Sequence, residues 1–130
     1  MQTATDILVV DDSRVVRKAA RRILERHGFA VREAEDGALA LQACHERLPR
    51  LVLLDWNMPV MDGLQFVSAV RANPAWRQVT LMMVTTESEH SQIVRALAAG
   101  AHEYVIKPFT ADAIGDKLAL LGLLPHGVPA

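Results

Sequence analysis

The 130-residue sequence has a single cysteine, Cys44, and a formal net charge of only −1. One cysteine excludes an internal disulfide and fits a reducing compartment. The near-neutral charge gives no overall field that would favour nucleic acid or an anionic membrane. No apolar run approaches the roughly 20 residues that span a membrane, and residues 1–6 lack the pattern of a secretion signal. We therefore expect a cytoplasmic protein with no direct contact to a membrane or to nucleic acid.

Apolar residues make up 51% of the chain, which is enough for a sizeable core in one domain. Five short strand-like runs are each followed by apolar residues at helical spacing. The predicted strands are residues 7–10, 30–34, 51–54, 80–85 and 104–106. Such alternation is typical of a doubly wound α/β fold, a parallel sheet with helices on both faces. Since no internal repeat or low-complexity linker is present, we expect one domain over residues 1–124 and an irregular tail over 125–130.

The predicted first helix separates apolar residues from basic ones. Its apolar stripe has helical spacing and consists of Val16, Ala19, Ala20, Ile23 and Leu24. Its basic residues fall mostly off that stripe and are Arg14, Arg17, Lys18, Arg21 and Arg22. We interpret these cations as a solvated helix face rather than a binding patch.

Apolar residues at helical spacing mark the later helices as well. They include Phe66, Val67 and Val70 in the third helix, Ile93, Val94 and Leu97 in the fourth, and Ile114, Leu118 and Leu121 in the last. Cys44 falls on the apolar spacing of the second helix, so we interpret it as a small core residue.

Acidic, hydroxyl and amino side chains follow several of the predicted strands. Asp11 and Asp12 follow the first strand, Asp55 follows the third, Thr85 ends the fourth and Lys107 follows the fifth. The carboxyl ends of parallel strands meet at one edge of a sheet, where ligands bind. Three carboxylates held close together repel one another, and a divalent cation relieves that repulsion. Hard oxygen ligands favour Mg²⁺ or Ca²⁺, and Mg²⁺ is commonly held by one or two carboxylates with a phosphate.

This set of side chains suits phosphoryl transfer. Asp55 would be the nucleophile and would form an acyl phosphate. A metal ion and Lys107 would neutralise charge on the phosphoryl oxygens. Each residue alone is weak support, but their shared sheet edge makes the combination specific.

The motifs resemble those of receiver domains of two-component response regulators, most closely the single-domain chemotaxis regulators. The resembling stretches span residues 7 to about 121 and are Val9-Val10-Asp11-Asp12-Ser13, Glu35-Asp36-Gly37, Asp55-Trp56-Asn57-Met58-Pro59, Met61-Asp62-Gly63, Val84-Thr85 with Glu87, and Gly100-Ala101 through Tyr104-Val105-Ile106-Lys107-Pro108-Phe109-Thr110. The resemblance implies a flavodoxin-like sheet of five strands in the order 2-1-3-4-5. It also implies a phosphoacceptor protein rather than a conventional enzyme.

The resemblance implies a role for each residue of the site. Asp55 would accept a phosphoryl group from a phosphohistidine on a sensor histidine kinase. Asp12 and Asp55 would bind Mg²⁺ through their carboxylates, and the backbone carbonyl of Asn57 would supply another ligand. Asp11 would orient a metal-bound water, and Lys107 would contact the phosphoryl group.

Further roles concern the response to phosphorylation. Thr85 and Tyr104 would be the switch pair, and the downstream protein would bind the face formed by the fourth helix, fifth strand and last helix. The Lys107–Pro108 peptide would be cis. Thr86 departs from the small residue usual in this family, which bears on the rate of phosphotransfer. His102-Glu103 is more polar than usual before the switch aromatic, which bears on the partner surface.

The lifetime of the acyl phosphate depends on access of water. Side chains two positions after Asp55 and two after Thr85 flank the in-line approach, and here they are Asn57 and Glu87. Both carry hydrogen-bonding atoms that can orient water. We therefore expect a short lifetime set by Asn57 and Glu87.

Three other functions compete with this one. An aspartyl phosphatase of the haloacid-dehalogenase type needs an acid two residues after its nucleophile, where this chain has Asn57. A flavodoxin-like nucleotide binder needs a phosphate loop after the first strand, where the acids Asp11 and Asp12 would repel phosphate. A degenerate receiver that serves only as a scaffold would not need the complete acid set.

The sequence contains no DNA-binding helix-turn-helix, so we expect output through a protein contact or through a passed-on phosphoryl group. We expect a monomer. The alternatives are a receiver of a phosphorelay outside chemotaxis and a receiver cut from a longer regulator.

Overall fold

The computed structural model describes residues 6–86 and 90–124. The strands are β1 (Asp6–Val10), β2 (Ala30–Ala34), β3 (Leu51–Asp55), β4 (Thr80–Thr86) and β5 (Glu103–Lys107). The α-helices are α1 (Arg14–Arg26), α2 (Gly37–Glu46), α3 (Gly63–Arg71), α4 (His90–Ala99) and α5 (Ala111–Leu120). The predicted strands agree with these bounds to within one residue at either end.

The five strands form one parallel sheet in the order β2-β1-β3-β4-β5. This confirms the predicted fold class and strand order. The register aligns Val10 of β1 with Ala34 of β2 on one side and Leu54 of β3 on the other. Because all strands run the same way, the residues that end them lie at one edge of the sheet.

Alternate residues of the central strands face opposite sides of the sheet. In β3, Val52 and Leu54 pack toward α2, α3 and α4, whereas Leu51 and Leu53 pack toward α1 and α5. Every residue of β3 is buried. The third strand therefore has the continuous apolar pattern of a strand covered by helices on both faces.

Side chains at the helix N-termini fix where several helices begin. Ser13 accepts a hydrogen bond from the backbone of Val16 and caps the start of α1. Asp62 and Gln65 form a capping box at the start of α3. Each cap of this kind stabilises its helix by about 1 kcal/mol. These caps also set the ends of the loops that surround the sheet edge.

The structure differs from the predicted helices in three places. Ala19 is exposed, so the apolar stripe of α1 is narrower than predicted, and the buried residues of this helix are Ala20 and Leu24. In α4, Val94 is 66% exposed and Leu97 is 40% exposed. A short 3₁₀ helix, Pro74–Trp76, was not predicted; Asn73 caps it.

Cys44 is buried among core residues, as predicted, and burial raises the pKa of its thiol to about 11. Among the helices of the described residues, none combines the length and apolar character needed to cross a membrane. The predicted tail, 125–130, and Glu87 lie outside the described residues.

Candidate functional site

The sheet brings the predicted site residues to one edge. Asp11 follows β1, Asp55 is the last residue of β3, and Lys107 is the last residue of β5. The β4 strand lies between the last two, with Val84 aligned to Asp55 and Thr86 aligned to Lys107. The juxtaposition expected from the sequence is therefore present in the fold.

Three carboxylates form an acidic cluster at this edge. One oxygen from each of Asp11, Asp12 and Asp55 lies within 4.8 Å of the others. Asp11 is 2% exposed and Asp55 is 7% exposed, whereas Asp12 is open to solvent. Three carboxylate oxygens, which are hard donors, can supply part of the coordination of a Mg²⁺ ion, and the solvent-exposed side at Asp12 leaves room for several metal-bound waters. The residues present fit a divalent cation.

Lys107 pairs with the two buried carboxylates. Its Nζ lies 3.0 Å from Oδ2 of Asp11 and 3.3 Å from Oδ1 of Asp55. Burial lowers the pKa of Lys107, but its hydrogen bond to Asp11 and the charge of Asp55 outweigh burial, so the pKa is raised. One ammonium group cannot balance three carboxylates, and the cluster therefore keeps a negative excess that attracts a cation.

The pKa of Asp55 is raised from its ordinary value to about 6. Burial is the largest cause, and the neighbouring charge of Asp11 adds to it. Lys107 and a hydrogen bond from the backbone N–H of Asn57 act in the opposite direction. At pH 7 the carboxylate is still mostly ionised, so it remains a competent nucleophile.

The loop after β3 is packed tightly against the sheet. The backbone N–H of Trp56 donates to Val84 and that of Gly63 donates to Trp56. A Cβ on Gly63 would lie 2.6 Å from the Met83 methyl and 3.0 Å from the Trp56 Cα, so a larger residue there would displace the methionine methyl and crowd the backbone of Trp56. Trp56 is 6% exposed and lies in the core beside the cluster.

One turn in this loop is strained. Val60 has a φ of 69° and is 82% exposed. The Met61 N–H donates to the Pro59 carbonyl at 2.7 Å, which makes Val60 the centre of a γ-turn. A left-handed φ in a β-branched residue is an outlier. The sequence pattern around Pro59 does not predict this strain.

Asp11 is held by its backbone and its side chain. Its N–H donates to Ala34, and its Oδ1 accepts a hydrogen bond from the N–H of Ser13 at 2.8 Å. Its carbonyl oxygen accepts a 2.7 Å hydrogen bond from Nη1 of Arg17. Arg17 was predicted to lie on a solvated face, but its side chain is only 11% exposed.

The basic residues of α1 converge on one acid of β2. Arg17, Lys18 and Arg21 all form ion pairs with Glu33, at 3.1, 2.8 and 2.8 Å. Burial alone would raise the pKa of Glu33, but these hydrogen bonds lower it to about 2. The prediction of a solvated face is therefore wrong for Arg17, because the ladder between β1 and β2 places Glu33 under the helix. The side chains of Lys18 and Arg21 remain 47% and 37% exposed.

The predicted switch residues lie on neighbouring strands. Thr85 is 2% exposed at the end of β4. Tyr104 is half-buried on β5, and its ring centroid lies 4.7 Å from Nζ of Lys117 on α5. Lys117 also pairs with Glu103 at 2.8 Å. Thr86 is exposed, and the Lys107–Pro108 peptide is cis, as predicted.

Comparisons with known proteins agree with this fold. Residues 7–119 match the response regulator receiver domain family. The chain is 38% identical over 117 residues to the chemotaxis protein CheY1 of Helicobacter pylori strain J99, covering 88% of this chain and 94% of that protein. The chain belongs to the response regulator receiver domain family.

Solved structures give the same result. The chemotaxis response regulator CheY4 of Vibrio cholerae superimposes with a TM-score of 0.85 at 32% identity, over 92% of this chain and 99% of that one. The receiver domain of the sensor histidine kinase PA1611 from Pseudomonas aeruginosa superimposes with a TM-score of 0.82 at 25% identity, over 91% and 97% of the two chains. That structure has a magnesium ion coordinated in its active-site cleft. This chain is thus a receiver domain of the two-component type.

Sequence reasoning missed two contacts and one strained backbone angle around this site. They are the bond from Arg17 to the Asp11 backbone, the strained φ of Val60, and the contact between Lys117 and Tyr104. Each depends on a neighbour from another element or on a backbone angle. The only available signal was the concentration of basic residues in α1, which was interpreted without the acid that pairs with it.

Proposed function

We propose that this receiver domain accepts a phosphoryl group on Asp55 from a phosphohistidine of a sensor kinase. The observation that carries the proposal is the meeting of a buried, mostly ionised Asp55 with Asp11, Asp12 and Lys107 at one sheet edge. A carboxylate oxygen of Asp55 attacks phosphorus as the bond from phosphorus to the imidazole nitrogen breaks. The released imidazole takes up a proton from solvent, and an acyl phosphate remains on Asp55.

The chain's own residues prepare this step. Lys107, which already contacts Asp55, is placed to pair with a phosphoryl oxygen as charge develops there. Asp12, Asp55 and the carbonyl of Asn57 would hold a Mg²⁺ ion, with Asp11 acting through a water. Mg²⁺, when bound, supplies positive charge that offsets repulsion between the carboxylates and the incoming phosphoryl group. The magnesium-bound PA1611 receiver domain supports this part of the proposal.

We propose that phosphorylation is passed to a protein-binding face on α4, β5 and α5. The hydroxyl of Thr85 would turn toward the phosphoryl group, and the ring of Tyr104 would move inward into the space vacated. The switch needs only a difference in affinity of the phosphoryl group for two arrangements of these residues. Asn57 and Glu87 would tune the loss of the phosphoryl group to water.

The similarity to chemotaxis regulators of Helicobacter pylori and Vibrio cholerae favours a target in motility. A phosphorelay outside chemotaxis is the second candidate, because the PA1611 receiver domain belongs to a sensor histidine kinase. We further propose one receiver unit over residues 1–124 that acts as a monomer in the cytoplasm.

The test is incubation with acetyl phosphate and Mg²⁺, followed by intact mass measurement. The expected result is one acid-labile phosphoryl increment that is absent in Asp55→Asn and absent in EDTA. Asp116→Asn, an exposed carboxylate change on α5, is the matched control and should keep the increment. A full increment in Asp55→Asn would refute the assignment of the acceptor.

A further inference from the structure

We infer that Arg17 is a positioning residue for the acidic cluster, and that it acts through the peptide joining Asp11 to Asp12. The inference rests on the proposed Mg²⁺ site. The carbonyl of that peptide accepts the 2.7 Å hydrogen bond from Nη1 of Arg17. The same guanidinium donates from Nε to Oε1 of Glu33 at 3.1 Å. Arg17 thus joins the acid of β2 to the backbone that carries Asp12.

The pair is largely enclosed. The side chains of Arg17 and Glu33 are 11% and 13% exposed. A buried ion pair costs desolvation energy, so its geometry and extra hydrogen bonds decide whether it persists. Glu33 also forms ion pairs with Lys18 and Arg21, which keep its carboxylate ionised and fixed in position. The acid is therefore a rigid anchor for Arg17.

Arg17 differs from the other two cations in what else it reaches. Lys18 and Arg21 bind the same carboxylate, and Arg21 also binds Glu25, but neither contacts Asp11 within the described part of the chain. The planar fork of arginine can hold two acceptors in fixed directions, whereas the ammonium group of lysine acts as a single point. The arrangement supplies two near-matched controls within one helix.

The peptide that Arg17 holds is the least supported part of the cluster. Asp11 is fixed by Ala34, Ser13 and Lys107. Asp12 is exposed and makes no hydrogen bond or ion pair with residues 6–86 or 90–124. Rotation of the Asp11–Asp12 peptide would carry the Asp12 carboxylate away from Asp55. The bond from Arg17 limits that rotation and so holds a proposed metal ligand in place without touching the metal.

Charge alone makes the opposite prediction. Arg17 is a cation near an acidic cluster, so removing it should strengthen the attraction for Mg²⁺. The controls Lys18→Gln and Arg21→Gln remove the same charge from the same helix and leave the Asp11 carbonyl bound. Weaker Mg²⁺ binding in Arg17 variants, together with unchanged or tighter binding in these controls, can come only from positioning.

The experiment is a Mg²⁺ titration at constant ionic strength, followed by tryptophan fluorescence and by amide NMR shifts. We expect Arg17→Met to weaken binding about 10-fold, as is typical for outer partners of metal ligands. Arg17→Lys keeps the charge and the pairing with Glu33, and it should weaken binding several-fold because one ammonium cannot hold both acceptors. Circular dichroism and urea unfolding establish that each variant is folded. If Arg17→Met does not fold, Arg17→Lys provides the test.

The outcomes separate the positioning role from the proposed function. The role of Arg17 would be overturned if both Arg17 variants bound Mg²⁺ as tightly as the wild type. It would also be overturned if Arg21→Gln weakened Mg²⁺ binding as much as the Arg17 variants do. Absence of Mg²⁺ binding in the wild-type protein would overturn the proposed metal site instead. Weakening confined to the Arg17 variants supports the inference.

Discussion

At the scale of single residues, burial sets the chemistry of Asp55. A folded-state pKa of about 6 means that the ionised form is disfavoured by the fold when no metal is bound. Because the pKa is raised, Asp55 has no effect on the free energy of unfolding below pH 4, where the carboxyl is protonated in both states. The free energy of unfolding then falls as the pH rises through 6. We expect Asp55→Asn to be more stable than the wild type by about 1–3 kcal/mol in EDTA at pH 7.5, with the difference vanishing near pH 4.

Urea unfolding across this pH range measures the effect. Saturating Mg²⁺ should stabilise the wild type and not Asp55→Asn, which reverses the order of the two proteins. Asp116→Asn should follow the wild type throughout. If Asp55→Asn were less stable than the wild type in EDTA at pH 7.5, the carboxylate would be stabilising and the charge excess of the cluster would be disproved.

The effect of Glu33 on the pH dependence of stability has the opposite sign to that of Asp55. Its folded-state pKa is lowered to about 2 by Lys18, Arg21 and Arg17 against the effect of burial. Its stabilising contribution is therefore complete above pH 4.5 and is lost as pH falls toward 2. We expect Glu33→Gln to lose about 1–3 kcal/mol of stability at pH 7 and progressively less below pH 4.5.

The control for this prediction is Glu25→Gln. Among the residues that the structure describes, Glu25 pairs with Arg21 alone, and its side chain is 48% exposed, so its loss should cost less than about 0.5 kcal/mol. Urea unfolding at pH 7, 5, 4 and 3 gives the comparison. Equal losses in the two variants at pH 7 would contradict the special place of Glu33.

At the scale of elements, the loop from β3 to α3 carries strain at Val60. A left-handed φ costs a residue with a Cβ about 1–2 kcal/mol, and glycine avoids that cost but loses about 0.5–1 kcal/mol through entropy. We expect Val60→Gly to stabilise the protein by about 0.5–1 kcal/mol. Val60→Ala keeps the Cβ and should gain less. Thermal unfolding of the three proteins tests the order, and a less stable Val60→Gly would show that the turn is not strained.

The sequence predicted strands better than it predicted contacts between elements. The apolar run of Leu51 to Leu54 located β3 and placed Asp55 at its end, because one local pattern contains both. The exposure of Val94 in α4 could not be found in this way, since the helical spacing alone does not say which part of a stripe the sheet covers. The acidic cluster was predictable because parallel strand ends must meet.

The basic face of α1 shows the same limit more sharply. Its composition alone fits a solvated surface, and only the pairing of β1 with β2 brings Glu33 beneath Arg17. The strain at Val60 is likewise a property of a backbone angle that valine does not favour. Positions of charged ligands follow from topology, whereas the contacts that hold them depend on neighbours from other elements.

At the scale of the whole molecule, the proposed switch joins the acidic cluster to a distant face through Tyr104. The ring now lies 4.7 Å from the ammonium of Lys117, which Glu103 holds at 2.8 Å. An inward movement of the ring would break this contact, so Lys117 favours the unphosphorylated arrangement. A cation over a partly exposed ring contributes about 0.5–1 kcal/mol. A ligand that favours the inward arrangement should therefore bind more tightly, by that difference, when the contact is removed.

We therefore expect Lys117→Met to bind beryllofluoride, a phosphoryl mimic, about 2- to 5-fold more tightly in the presence of Mg²⁺. Lys117→Arg keeps a cation near the ring and should resemble the wild type. Amide NMR shifts measure both the affinity and the residues that respond, and they should extend from Asp55 to β5 and α5. Tighter binding restricted to Lys117→Met, with shifts at Tyr104, would place this contact in the switch. If the affinity of Lys117→Met were unchanged while shifts still reached β5, Tyr104 would move without opposition from Lys117, and the energy difference between the two arrangements would have to reside elsewhere in the sheet.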